Sequence, residues 1–450
     1  MRIAYIVPGS GQSFYCENCF RDSSLISGLR ATGHDVSVVP LYLPLNEEEG
    51  IEEVTAPLFF GAVRLYLEEH FPLIKRLPFK LRQMLNSPSL LRMAASRAGS
   101  TRSSGNEKLI LTMLKGESGK QAREFRRVAA YVVNKVQPDA VIISNLFLLG
   151  VGTSIKIREN LPIYCFAQDE DKWIDDADFD YRDRIWKAIA YHDSTVSKFF
   201  SLSKWYINKI APLSNIAPDR FEKVPFGVNP DNYSIAEHSE KHAPLGFLNR
   251  LNYANGLEML IDAFCFLSEK CDADTLHLSL CGGTTADDRV ELARLLKQIE
   301  GCGAVDIDTS FGIADRARFL SSLGVLSVPC PEGIAYGTFI IEALASGVPV
   351  VQPDIGGFSE IGALTDSVIL YSPTTVKNCA EAILPFYNDS SLRKKLGTRG
   401  REFVMDQFMH THMAEQIVTV MEKCCSAEAQ VLMYNETAYM TSGIDRHYAL

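Results

Sequence analysis

The stretch from Ser327 to Ile361, SVPCPEGIAYGTFIIEALASGVPVVQPDIGGFSEI, holds the residues best placed for chemistry. It reads as a buried strand, a Gly-containing loop, a helix, a Gly-Val-Pro turn, a second strand and a Gly-Gly loop. That order sets a helix N-terminus at the carboxyl edge of a parallel sheet. Free backbone N–H groups and the helix dipole make such a place an anion site, suited to phosphate. Glu342 lies one turn into the helix and can reach past a bound phosphate to a sugar hydroxyl. The arrangement suits a nucleotide-sugar better than a bare nucleotide. Cys16-Glu-Asn-Cys19 has redox or zinc spacing, but a structural zinc needs four ligands. Cys424-Cys425 has the wrong spacing to complete the set, so packing at a helix start is the expectation and no metal site is assigned.

The elements that must hold these residues follow a βα rhythm. The first unit has a strand over 3–7, a loop over 9–11, a helix over 19–31 and a strand over 36–41. Gly9 and Gly11 stand where a backbone can approach phosphate, although the G-x-G-x-x-G spacing is missing. After an interruption over 46–130, read as a helical insertion, a helix over 123–135 leads to strands over 140–144, 163–167, 195–197 and 222–225. A polar linker spans 232–244. A second series then begins: strand 245–249, helix 257–268, strand 276–280, the Gly282-Gly283 turn, strand 305–307, helix 314–323 and strand 325–328. Strands within 349–372 and helices over 374–425 follow, and the last 25 residues show no clear period. Two such series predict an α/β protein of two doubly wound, Rossmann-like domains facing a cleft.

Composition narrows the function. The 450 residues are 46% hydrophobic and 22% charged, ordinary for a globular protein of two or three domains. A net charge of −10 argues against nucleic acid as a partner. No apolar run reaches the ~18 residues of a membrane span, and the N-terminus lacks a signal-peptide layout. The 11 cysteines sit mostly in apolar contexts, which predicts reduced thiols and a cytoplasmic protein. Between His70 and Asn106 there are seven Lys/Arg and no Asp/Glu. This reads as a solvated basic face or as a surface for an anionic acceptor or the inner face of a membrane.

Four segments together resemble one family, the GT-B glycosyltransferases of family 4, also called glycosyl transferases group 1. They are FLNRLNYANGLEMLIDAF, LSLCGG, EGIAYGTFIIEALASGVPVV and VPFGVNPDNY. The resemblance is strongest over 245–361. It implies an acceptor-side domain over 1–235, a nucleotide-sugar domain over 244–408, and a segment over 409–450 that returns to the first domain before a tail. It implies retaining, metal-independent transfer of a sugar from a nucleotide-diphosphate sugar to a glycan or lipid-linked acceptor, with no cofactor. Arg250, Glu342 and Gln168 are the implied catalytic residues. Gly9, Gly11, Arg250, Asn255, Gly282, Glu332, Gly337, Thr338, Phe339 and Glu342 are implied on the donor side, and Asp169 and Glu170 on the acceptor side. The sequence departs from the pattern where the family's Lys falls on Asn255, its first Glu on Ile334 and its His on Gln168. The alternative reading is a non-catalytic scaffold or sugar-nucleotide-binding subunit. A dehydrogenase reading fails for lack of the fingerprint.

Overall fold

The computed structural model describes residues 1–9, 15–42, 59–60, 107–238, 244–272, 275–285 and 288–441, with backbone alone over 427–441. Gly11, most of the expected insertion and the whole basic stretch over 70–106 lie outside the described residues. Two sheets organise the chain. The first runs β1 (Arg2–Val7), β2 (Asp35–Pro40), β3 (Ala140–Ile143), β4 (Ile163–Phe166), β5 (Lys198–Ser201) and β6 (Phe221–Lys223), in the spatial order β2-β1-β3-β4-β5-β6. The second has β7 (Leu245–Leu248), β8 (His277–Cys281), β9 (Ala304–Asp308), β10 (Val325–Leu326), β11 (Val350–Pro353) and β12 (Val368–Tyr371), in the order β12-β11-β10-β7-β8-β9. The pairings within both sheets are parallel.

The composition of the strands explains the layers. Central strands such as Ala140–Ile143, Ile163–Phe166 and Leu245–Leu248 are buried along their whole length, as expected when helices cover both faces of a parallel sheet. β9 at one edge is largely exposed and carries Asp306 and Asp308, charges that discourage further pairing.

The strand order reverses between β1 and β3 in the first sheet and between β7 and β10 in the second. A crevice opens at such a point beyond the carboxyl ends of the strands. Residues 8–9, 144–145 and 167–169 leave the first sheet there. Residues 249–256 and 327–337 leave the second.

Several details differ from the sequence reading. The strand expected over 195–197 is a 3-10 turn followed by β5, because Phe199 and Phe200 supply the buried ladder. The helix expected over 123–135 is α-helical over Ala122–Tyr131 and π-helical over Val132–Val136. The described end of the insertion is part of the core: Leu114 and Phe125 are buried. The helix His410–Thr441 runs well past residue 425. It packs on the helix Glu17–Ala31, with Gly28 against the His410 carbonyl, and its Met421 carbonyl accepts the Tyr164 hydroxyl at 3.0 Å. The cysteines are not all reduced: Cys16 pairs with Cys19 and Cys265 with Cys302.

Candidate active site in the interdomain crevice

Arg250 follows β7 in a tight turn. The turn is clamped to the next strand by the Asn249 N–H on the Cys281 carbonyl (3.1 Å) and the Leu251 N–H on the Gly283 carbonyl (3.0 Å). Gly282 is required for that approach: its φ is +142°, and a Cβ there would collide with the Asn249 carbonyl. The Arg250 guanidinium makes a two-pronged ion pair with Asp288, from Nε at 2.8 Å and Nη2 at 3.0 Å, and Nη2 also donates to the Thr285 hydroxyl at 2.9 Å. Burial alone would raise the Asp288 carboxyl. Arg250 and Thr285 outweigh it and hold the carboxyl below its usual range. Asn255 donates from its side chain to the Arg250 carbonyl at 3.1 Å, so it braces the turn that carries the guanidinium.

The helix Thr338–Ala345 points its N-terminus into the crevice. Its cap is Gly337 at φ +91°, which offers no side chain, and its first turn has no acidic residue. Both features leave backbone donors for a ligand from elsewhere. Thr338, Phe339 and Glu342 are all buried. Glu332 sits on the preceding loop and is exposed, whereas Ile334 is buried. Gly9, with φ +98°, is on the opposite rim.

Glu342 is fully engaged. Its Oε1 accepts Arg316 Nε at 2.8 Å and the Tyr233 hydroxyl at 2.6 Å, and its Oε2 accepts the Tyr15 hydroxyl at 2.6 Å. Arg316 is buried, lies 3.6 Å over the Phe20 ring and donates to the Phe311 carbonyl at 2.9 Å. Burial works against its charge, but Glu342 outweighs that and holds the guanidinium protonated above its usual range. Burial and the Glu342 charge push the Tyr15 hydroxyl well up, so it stays a donor.

Glu17, the first residue of the N-terminal helix, reaches across to this helix start. Its Oε2 accepts the Thr338 N–H at 2.9 Å and the Thr338 hydroxyl at 3.2 Å, and its Oε1 accepts Asn249 Nδ2 at 3.2 Å. Glu17 keeps some solvent contact. Even so, burial in the crevice and the nearby Asp169 charge push its carboxyl up to about 7, against the Thr338 bonds that favour the charged form. Beside it, the Tyr15 N–H donates to the Gly282 carbonyl at 2.6 Å, and its hydroxyl lies 3.1 Å from that of Thr338.

The residues expected on the acceptor side, with Gln168, differ in their contacts. Gln168 is buried; its Oε1 accepts Arg21 Nη1 at 2.9 Å, and its Nε2 has no partner among the described residues. Arg21 is itself buried against Asp22 and lies over the Phe166 ring. Asp169 adopts φ +61° and accepts the Ala335 N–H at 2.9 Å from the other half. That strained backbone is held where its carboxylate bridges the crevice. Glu170 is buried and accepts the Leu146 N–H, the Gln168 N–H and the Tyr206 hydroxyl. Burial pushes it up to about 7 despite those donors. It fixes the loop and presents no oxygen to the crevice that these donors do not already use.

The structure therefore brings Arg250, Asn255, Gly282, Gly337, Thr338, Phe339 and Glu342 to one edge, and Gly9, Gln168 and Asp169 to the facing one. Sequence reasoning missed Tyr15, Glu17, Tyr233, Asp288 and Arg316. Tyr15 and Glu17 had a usable signal, because they directly follow the Gly-containing loop at a helix start. Arg316 had none: an arginine in DRARF reads as a solvent face. Among the described residues no three His, Cys, Asp or Glu side chains converge as a metal site, and no helix is long and apolar enough to cross a membrane.

Comparisons with known proteins agree on one family. Residues 231–403 match the family model described as Glycosyl transferases group 1. The phosphatidyl-myo-inositol mannosyltransferase of Mycobacterium leprae is 28% identical over 223 residues, 46% of this chain and 55% of that protein. The N-acetyl-alpha-D-glucosaminyl L-malate synthase of Bacillus anthracis is 24% identical over 182 residues, 40% of this chain and 46% of that one. The chain spans about half the length of these curated relatives. Among solved structures, sucrose-phosphate synthase from Thermosynechococcus elongatus superimposes with a TM-score of 0.66 at 16% identity, covering 94% of this chain and 99% of that one. Anabaena HepE in complex with UDP and glucose gives 0.66 at 13% identity with the same coverages. WaaG, a glycosyltransferase of lipopolysaccharide biosynthesis, gives 0.61 at 16% identity, covering 92% and 98%. At these identities the structures establish the fold.

Proposed function

We propose that this chain, a GT-B protein whose residues 231–403 are those of glycosyl transferases group 1, moves a sugar from a nucleotide-diphosphate sugar to a glycan or lipid-linked acceptor. The observation that carries the reading is the helix start at Thr338, whose N–H holds a carboxylate at 2.9 Å beside the Arg250 turn. A backbone donor that binds one anion can bind another, and a diphosphate fits an N-terminus flanked by a guanidinium. Transfer breaks the bond between the anomeric carbon and the phosphate oxygen and joins that carbon to the acceptor hydroxyl oxygen. The acceptor proton leaves with the departing diphosphate. The protein's task is to stabilise the charge growing on that diphosphate, through Arg250 and the Thr338 N–H. With those groups in place, the reading is metal-independent transfer with retention, in keeping with the family resemblance. Gln168 Nε2, buried and without a partner among the described residues, is a donor for a sugar hydroxyl. The basic stretch over 70–106 is the proposed contact with an anionic membrane.

A second reading has support of its own. Asn255 braces backbone, Ile334 is buried and apolar, and both Glu342 oxygens are engaged within the protein. These features suit a subunit that binds a sugar nucleotide without turning it over. Thermal-shift screening against nucleotide diphosphates, followed by turnover assays with the sugar nucleotides that stabilise the protein, separates the two. Turnover with any donor removes the scaffold reading. Stabilisation without turnover across glycan and lipid-linked acceptors removes the enzyme.

A further inference from the structure

We infer that Tyr15 and Glu17 form a latch that occupies the donor-anion site and must be displaced before a nucleotide diphosphate can bind. The inference rests on the donor-site reading above and adds a regulatory element to it. Glu17 caps the helix Thr338–Ala345 from the other half of the molecule, through both the N–H and the hydroxyl of Thr338. One N–H cannot hold the Glu17 carboxylate and a phosphate oxygen together. Tyr15 adds two more ties on the same edge, its N–H to the Gly282 carbonyl and its hydroxyl to Glu342. Glu342 is the residue expected to reach a donor sugar hydroxyl, and Gly282 belongs to the Gly-rich turn beside Arg250. A second internal carboxylate, Asp288, holds Arg250 in the same manner. Arg250 and the Thr338 N–H are thus both matched by an oxygen of the protein's own.

The latch is positioned as a unit. Glu17 starts the helix Glu17–Ala31, Cys16 caps it by accepting the Cys19 N–H, and the Cys16–Cys19 disulfide brackets Glu17. Tyr15 packs on Phe20 at 4.6 Å between ring centroids. Withdrawal of one residue therefore draws on the others.

The test uses the full chain, UDP as the probe, and hydrogen exchange of individual amides as a readout that needs no donor. In Glu17→Ala the Thr338 amide exchanges faster than in wild type, and UDP binds about tenfold tighter by calorimetry, the scale of one charge-assisted hydrogen bond no longer opposed. In wild type, added UDP speeds exchange of the Tyr15 amide, because its bond to Gly282 opens. Unchanged exchange at Thr338 in Glu17→Ala overturns the latch. So does weaker UDP binding in that variant, which would make Glu17 a donor contact. If Glu17→Ala does not fold, the wild-type measurement decides: UDP that binds without speeding Tyr15 exchange overturns the latch. Faster Thr338 exchange with no UDP binding by either protein keeps the latch and removes the nucleotide reading.

Discussion

The two edges of the crevice are built from different materials. The C-terminal edge offers main chain: the Gly282 carbonyl, the Thr338 N–H, and the N–H and carbonyl of Ala335. The N-terminal edge offers side chains that reach over: Glu17 to Thr338, Asp169 to the Ala335 N–H, and Ser203 to the Ala335 carbonyl at 2.5 Å. The pattern is not uniform: the C-terminal side chains Asn249 and Glu342 meet Glu17 and Tyr15, and the Glu360 carboxylate accepts the Trp205 N–H at 2.6 Å and pairs with Lys223 at 2.7 Å. Backbone groups cannot be changed by substitution without moving the chain, whereas the side chains that reach over can be replaced one at a time.

The largest expected effect breaks the C-terminal edge from within. Arg316→Ala leaves Glu342 buried with its cation gone and should cost about 3–5 kcal/mol in urea denaturation. Arg316→Met combined with Glu342→Gln should recover most of it; no recovery would mean that Arg316 matters by its packing on Phe20 and not by its charge.

Arg250→Ala comes next. It should weaken UDP binding roughly 10- to 150-fold, the range of a lost charge-assisted hydrogen bond. Asn255→Ala should change it little, because the Asn255 side chain donates to the Arg250 carbonyl and not to the guanidinium. Equal UDP affinities for wild type and Arg250→Ala would move the anion site away from this turn.

A smaller effect concerns pH at the N-terminal edge. Facing Glu17 are Asp169, Lys172, Tyr15, Cys330 and Thr338. In the closed latch its carboxyl titrates at about 7; freed into water it returns to its ordinary value near 4.5. The closed form therefore holds a proton that the open form lacks, and rising pH favours opening across that interval. Protection of the Thr338 amide, corrected for intrinsic exchange, should fall between about pH 5 and pH 7 and then level. Glu17→Gln should show no such slope, and a slope of equal size in that variant would assign the titration to another group.

The smallest effect is expected at Gln168. Gln168→Ala should leave UDP affinity within about threefold of wild type, since its Oε1 already serves Arg21 and the proposed diphosphate contacts, Arg250 and Thr338, are on the other edge. A larger loss would bring the acceptor edge into nucleotide recognition.

The sheets were legible in the sequence because buried parallel strands are local apolar runs with glycine or proline at their ends. The strand, loop and helix start of the proposed anion site were legible for the same reason, because they are consecutive. What closes the site was not. Glu17 and Thr338 lie 321 positions apart, and Tyr15 and Glu342 lie 327 apart. No periodicity records such a meeting. β5 was misplaced because Phe199 and Phe200 break the alternation that marks a strand exposed on one face. The final helix was cut short for a similar reason, since its register beyond residue 425 carries no regular apolar stripe.

The chain passes between the two halves twice, and the two passages grip each other. The Val228 N–H donates to the Phe408 carbonyl at 2.9 Å, and the His410 N–H donates to the Val228 carbonyl at 2.8 Å. Gly227 lets them touch, with no room for a Cβ against the Met409 carbonyl. A single tether would let the halves swivel freely. Two stitched tethers make a pivot pin: sideways sliding must tear the stitches, whereas a swing about their shared line leaves them whole. Opening and shutting about that line is thus the motion these two bonds oppose least, and a proteolytic nick in one passage should leave the halves joined.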